Sequence, residues 1–231
     1  MFPLIATVVS TLMAAVVWYQ YSTRRKPYQL TWAGSFTLFA AASASEWGAG
    51  IWGWTPWLAW SYYLFGAILV TGLLALGMIW LLWPGRAARL ATLAVFVIGA
   101  IAAISLWQAP VAVEALAEIG WEAMERPAVV RGASMLFNIG GTLLLVVGTI
   151  SSWLAMRTRP EMRNRARGVL VLTIGVIVVA TGGSLAGILA LAERDLLAIT
   201  NSLGSAVMLA GILLADKRPA ERERLQYPAT K

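Results

Sequence analysis

Cysteine and histidine are both absent from this 231-residue sequence. Their absence excludes disulfides, thiol catalysis, zinc sites of the Cys or His type, and haem held by either residue. It also removes the side chain that ordinarily titrates near neutral pH. Charge is scarce as well: Asp, Glu, Lys and Arg together make up 13% of the chain. A soluble domain carries roughly 25%, so these residues cannot cover a water-facing globule. Hydrophobic residues, by contrast, reach 59%, and apolar windows of about 20 residues, the length that crosses ~30 Å of hydrocarbon, recur along the sequence. The expectation is an all-α membrane protein, with no separate soluble domain.

The apolar spans run over residues 3–21, 28–52, 57–83, 90–107, 132–156, 168–191 and 196–215. Pro56, Pro84, Pro110, Pro127 and Pro160 fall between them, where a missing N–H is tolerated. Seven transmembrane helices in one domain, 1–231, are therefore expected. The first span has no basic residue before it and is followed by Arg24, Arg25 and Lys26, the reverse of a cleavable signal peptide. It reads as a retained helix.

Orientation follows from the short loops. Of the 18 Lys and Arg, only Arg126, Arg131 and Arg194 fall on one side. The side that holds all the others is expected to be cytoplasmic. That places the N-terminus outside and the C-terminus in the cytoplasm, as a multi-pass protein of the plasma (inner) membrane. The same bias explains the net charge of +7: basic loops set the topology and meet anionic lipid, so no nucleic-acid partner is expected. Trp47, Trp52, Trp54, Trp57, Trp60, Trp107 and Trp121 gather at outer ends and Trp18, Trp32, Trp80, Trp83 and Trp153 at inner ends. They read as interfacial belts, or, around 52–63, as the wall of a cation or aromatic pocket.

The longest loop, 108–130, carries Glu114, Glu118, Glu122 and Glu125 at helical spacing between Pro110 and Pro127. A short external amphipathic helix between the fourth and fifth spans is expected there, as a solvated connector or an acidic lid over an outer mouth. The first and fifth spans run in the same direction, and each ends in a Trp ahead of a basic loop (Trp18 to Lys26, Trp153 to Arg159). That permits a three–one–three division of the kind found in transporters with parallel repeats.

Glu46 is the only charge well inside an apolar span. A charge at the middle of a helix in lipid costs ~2.5–3.5 kcal/mol on insertion scales, so such a residue normally faces protein or water and marks a candidate site. Its neighbours one turn away are Ala42, Ser43, Ala49 and Gly50, small enough for close helix approach. At a similar depth, counted from the outer ends, stand Tyr62, Asn138, Ser184 and Asn201. Two readings stay open. The polar groups hydrogen-bond between helices and fix their packing, with Glu46 protonated or ion-paired to Arg131; or they line a pocket for a cation, a proton or a small polar solute. Gly140-Gly141, Gly182-Gly183 and the Gly183–Gly187 spacing are close-packing signals. No phosphate loop, paired-carboxylate protease site or Asp-rich motif is present, so neither an enzyme, a cofactor nor a metal is expected.

Arg-Arg-Lys-Pro-Tyr at 24–28, Trp32, Gly-Trp-Thr-Pro at 53–56, Tyr-Tyr-Leu-Phe-Gly-Ala at 62–67 and Leu-Gly at 76–77 resemble an uncharacterised family of bacterial seven-helix membrane proteins. The resemblance implies the fold and no activity. Microbial rhodopsins share the helix count and the outside N-terminus, but residues 196–215 hold no Lys for a retinal Schiff base. The function expected is a small-solute or ion transporter or a ligand sensor built around Glu46. The alternative is a membrane scaffold or accessory subunit, packing against a partner subunit or a second copy.

Overall fold

The fold is a computed structural model that describes residues 2–159, 162–189 and 193–216, without the side chains of 183–189, 193–196 and 216. Its long helices are α1 (Phe2–Arg24), α2 (Pro27–Trp52), α3 (Pro56–Leu82), α4 (Arg86–Trp107), α5 (Ala128–Met156), α6 (Arg163–Leu189) and α7 (Glu193–Asp216). Several start a turn before the apolar stretch does. Arg86 and Arg89, and Arg163, Arg165 and Arg167, are helical, because backbone bonding continues past the hydrophobic run into the basic loops.

Helix starts and stops follow local chemistry. Lys26 is extended ahead of Pro27, and Pro56 opens α3 behind Thr55, whose hydroxyl accepts from the Leu58 N–H at 3.3 Å. Proline at the first position gives up only an N–H that has no helical partner. Gly53, at φ +82°, ends α2 in a conformation that L side chains rarely adopt.

Six of these helices are long and apolar enough to cross a membrane. The exception is α2, rich in Ala, Ser and Gly and carrying Glu46. Its placement accounts for its composition. Helices α1, α2, α3, α5, α6 and α7 each pack against two neighbours and close into a ring, while α4 lies outside against α3 and α5. All six ring helices feed one central core, from Met13 and Val17 through Phe36 and Phe39, Leu74 and Met78, Leu145 and Val176, to Met208 and Ile212. Small side chains on α2 let its neighbours close in. Ser35 donates to the Val70 carbonyl at 2.7 Å, Trp32 donates to the Leu74 carbonyl at 3.1 Å, and Gly66 faces Ala42. Outward faces are apolar, with Leu93, Phe96, Ile104, Leu143, Val147 and Ile150 all exposed, as lipid contact requires.

Helices α6 and α7 approach most closely. Gly168, Gly175 and Gly182 repeat every seventh residue along α6, and Gly204 and Gly211 do so on α7. A Cβ at Gly175 would collide with the Gly204 carbonyl, and one at Gly211 with the backbone of Leu172. This seven-residue row does the work expected of the adjacent glycine pairs. A Cβ at Gly140 would meet only Leu136 of its own helix, although Gly141 meets Thr71 and Ala75 and Gly182 meets Thr200. Gly183 and Gly187 fall among residues whose side-chain positions are not described.

Candidate functional site

The loop that covers one end of the ring is not the amphipathic helix expected from its glutamates. Residues 113–123 form three short turns, Val113–Ala115, Leu116–Ile119 and Gly120–Ala123, and an antiparallel bridge between Val111 and Met124 closes the segment. Gly120 breaks the helix. Its φ is +63°, and a Cβ there would stand 2.9 Å from the Trp54 indole nitrogen. Leu116, Ala123 and Ala59 form a small core with Trp54 and Trp121 packed on it, while all four glutamates remain exposed. The segment is thus a cap seated on the α2–α3 turn. Replacing Gly120 by Val should strain the backbone by ~1–3 kcal/mol and displace Trp54. We expect faster protease cleavage between Gln108 and Pro127; wild-type resistance would show that the cap does not depend on this contact.

Under the cap stands Tyr62. Its ring meets Trp54 edge-on at 5.6 Å and Trp121 at 5.9 Å, while Arg126 lies over Trp121 at 5.3 Å and over Tyr63 at 6.0 Å. The aromatics at this end therefore divide by role. Trp52, Trp57 and Trp107 are exposed, as a belt demands, whereas Trp54 and Trp121 are half-buried and form a wall.

Glu46 lies within electrostatic reach of Tyr62. Glu46 and Ser43 stand two turns above Phe39 and Phe36, so the helix face that enters the central core continues upward into them. Neither Glu46 Oε2 nor Ser43 Oγ, both buried, has a hydrogen-bond partner. The sequence presents Ser43 as a small neighbour of Glu46; the structure adds that its hydroxyl is a second unpartnered oxygen of the same site.

Arg131 is not the partner of Glu46. No ion pair forms at Glu46 among the described residues, and Arg131 is exposed. The reason is helical phase: Val130, Ala133 and Phe137 point inward from α5, and Arg131 lies 100° away from Val130. It lines a surface groove of about 500 Å³ with Glu122, Glu125 and Arg126. A second, apolar groove of about 430 Å³ lies among Trp57, Trp60 and Trp107.

Asn138 is hydrogen-bonded to α3 and to its own helix rather than to Glu46. It sits in a π-helical turn of α5, Leu136–Gly140, facing the π-helical stretch Tyr63–Leu69 of α3. Its amide nitrogen donates to the Ala67 carbonyl at 2.6 Å and the Ser134 carbonyl at 2.9 Å, and its oxygen accepts from Thr71 at 3.0 Å. Ser134 adds a bond to the same Ala67 carbonyl at 3.0 Å. π-Helical turns carry displaced backbone bonding, and here two of them are clasped by side chains. Asn201 is half-buried on α7, next to Ser202, which donates to the Phe2 carbonyl at 2.7 Å and ties α7 to α1. The side chain of Ser184 lies outside the described residues.

The residues brought together are thus Glu46, Ser43 and Tyr62, with Trp54 and Trp121 packed on the Tyr62 ring. The arrangement can hold a cation or a proton: it offers one carboxyl, a serine hydroxyl and a phenol beside apolar and aromatic side chains. No metal-binding group of three or more Asp or Glu occurs among the described residues. No protein family, curated protein or solved structure matches this chain.

Proposed function

We propose that this chain is a seven-helix plasma-membrane protein, N-terminus outside and C-terminus cytoplasmic, that transports a small solute or ion through a site centred on Glu46. In this reading α2 crosses the bilayer as a member of the ring, with its flanks covered by α1 and α3, so its modest hydropathy suits its position. The observation that carries the reading is the pair of unpartnered buried oxygens, Glu46 Oε2 and Ser43 Oγ, one turn apart on a face that enters the ring. An unmade hydrogen bond in a buried place costs about 1–3 kcal/mol, more for a charged group. A residue used only for packing has no reason to bear that cost; a residue that binds a cation or proton in passing has one.

The test is Glu46→Gln in purified protein reconstituted into liposomes, with Na⁺, K⁺ and H⁺ fluxes followed by indicator dyes. We expect at least about tenfold loss of flux, the equivalent of one charge-assisted contact, with helicity and monodispersity unchanged. Undiminished flux removes Glu46 from the mechanism.

The scaffold reading draws on Asn138, whose bonds close entirely within the protein. It expects no flux from any form of the protein, and a Glu46→Gln change confined to melting temperature or assembly.

A further inference from the structure

Among the described residues, four buried side-chain atoms have no hydrogen-bond partner, and three of them are oxygens on α2: Gln29 Oε1, Ser43 Oγ and Glu46 Oε2. Gln29 and Ser43 lie seven residues to either side of Phe36, which puts all three on one helical face. Glu46 follows Ser43 by one turn. From Gln29 to Glu46 the helix rises about 25 Å, against ~30 Å for the hydrocarbon of a bilayer. Acceptor oxygens thus stand near both ends of α2, and the phenylalanines of the central core stand between them.

Gln29 is only 2% exposed, so its amide oxygen is not simply wetted at a loop. On its side of the core the ring interior is polar again. Thr149 and Thr173, 1% and 7% exposed, share a hydrogen bond of 2.6 Å one turn beyond Leu145 and Val176. The pattern along the ring is polar, apolar, polar, with α2 supplying the unpartnered oxygen at each end.

From this we infer a second ligand station at Gln29, at the basic end of a path that begins at Glu46, for a small inorganic monovalent cation. The inference rests on the transport reading above and names its substrate class. An amide oxygen accepts hydrogen bonds and coordinates cations but does not carry a proton at neutral pH. A chain of proton carriers would not place one there. Hard oxygen donors suit alkali cations, and the single carboxylate at Glu46 balances one positive charge. The packed side chains of Phe36 and Phe39 are the barrier between the two stations in this conformation.

The experiment uses full-length protein in liposomes, with Na⁺, K⁺ and H⁺ fluxes measured for wild type, Glu46→Gln, Gln29→Leu, Gln29→Met and Gln29→Glu. Wild type should pass Na⁺ or K⁺. Gln29→Leu and Gln29→Met, which keep bulk and lose the acceptor, should each cut that flux about tenfold, the loss of one contact to a charge. Gln29→Glu should retain flux and alter the Na⁺/K⁺ preference. Should leucine fail to fold, methionine answers the same question. Wild-type flux in Gln29→Met beside an inactive Glu46→Gln overturns the second station and leaves the Glu46 reading standing. Flux of H⁺ alone overturns it too, again without touching Glu46. Absence of any cation or proton flux from wild type brings down both.

Discussion

Gly175→Leu is expected to be the most damaging single substitution in this chain. At Gly175 an added Cβ would already stand 2.6 Å from the Gly204 carbonyl oxygen and 2.7 Å from the backbone nitrogen of Met208. Backbone atoms on a facing helix cannot rotate away as a side-chain tip can, so α6 and α7 would have to separate. Overpacking of a core ordinarily costs ~1–3 kcal/mol, occasionally more, and this case belongs at or beyond the upper limit. For a chain of this size ~3 kcal/mol corresponds to a fall in melting temperature of roughly 10 °C. The measurement is thermal unfolding in detergent, with Gly50→Leu as control, since nothing lies within 4 Å of a Cβ at Gly50. Equal melting temperatures for the two variants would refute close backbone contact between α6 and α7.

The second large effect is expected from Asn138→Leu. The substitution is near-isosteric and apolar, so it removes bonds without opening a cavity. It strips one donor from the Ala67 carbonyl and one from the Ser134 carbonyl, and it leaves the Thr71 hydroxyl without its acceptor. Interhelical hydrogen bonds in membranes average ~0.6 kcal/mol and reach ~1.7, so the two that join α5 to α3 amount to about 1–3 kcal/mol. Ser134→Ala removes the hydroxyl's bond to the Ala67 carbonyl and the 3.2 Å bond it accepts from Asn138, but leaves Asn138 bonded to Ala67 and Thr71, so it should cost less. The two π-helical turns give a second readout: amide exchange in Tyr63–Leu69 should rise in Asn138→Leu and remain slow in Ser134→Ala. Exchange unchanged in both variants would show that the π-turns hold without the clasp.

How much of this was legible beforehand depends on which physical signal carried it. The long helices follow from runs of apolar residues, and the ends of α2 and α3 follow from Gly53 and Pro56. The burial of Glu46 beside small neighbours was also readable, because Ala42 and Ser43 lie one turn from it on the same helix. Partners on other helices were not readable. Depth counted along each span put Asn138 level with Glu46, but depth says nothing of rotation about the helix axis, and rotation turned Asn138 to Ala67 and Arg131 to the surface. The two π-helical stretches shift that rotation further, and no residue pattern in Tyr63–Leu69 announces them. The 113–123 loop misled for a related reason. Its glutamates have helical spacing, but the chain between them contains Gly120 at a positive φ, packed against Trp54, a residue far away in sequence. Gln29 carries no signal in the sequence, because a glutamine near the end of a span ordinarily meets water; only the packing of the ring reveals that it is buried.

The modest apolarity of α2 has a consequence for how the protein is made. A helix of this composition, with Glu46 in it, gains little by entering lipid alone, since an acidic residue within a span opposes insertion and Ala, Ser and Gly contribute little to drive it. What α2 has instead is packing, since α1 and α3 cover one flank each. In the proposed seven-span arrangement, membrane integration of α2 would then be a collective event: the first three helices should enter as a unit during synthesis, and a nascent chain that ends after α2 should be recovered outside the membrane.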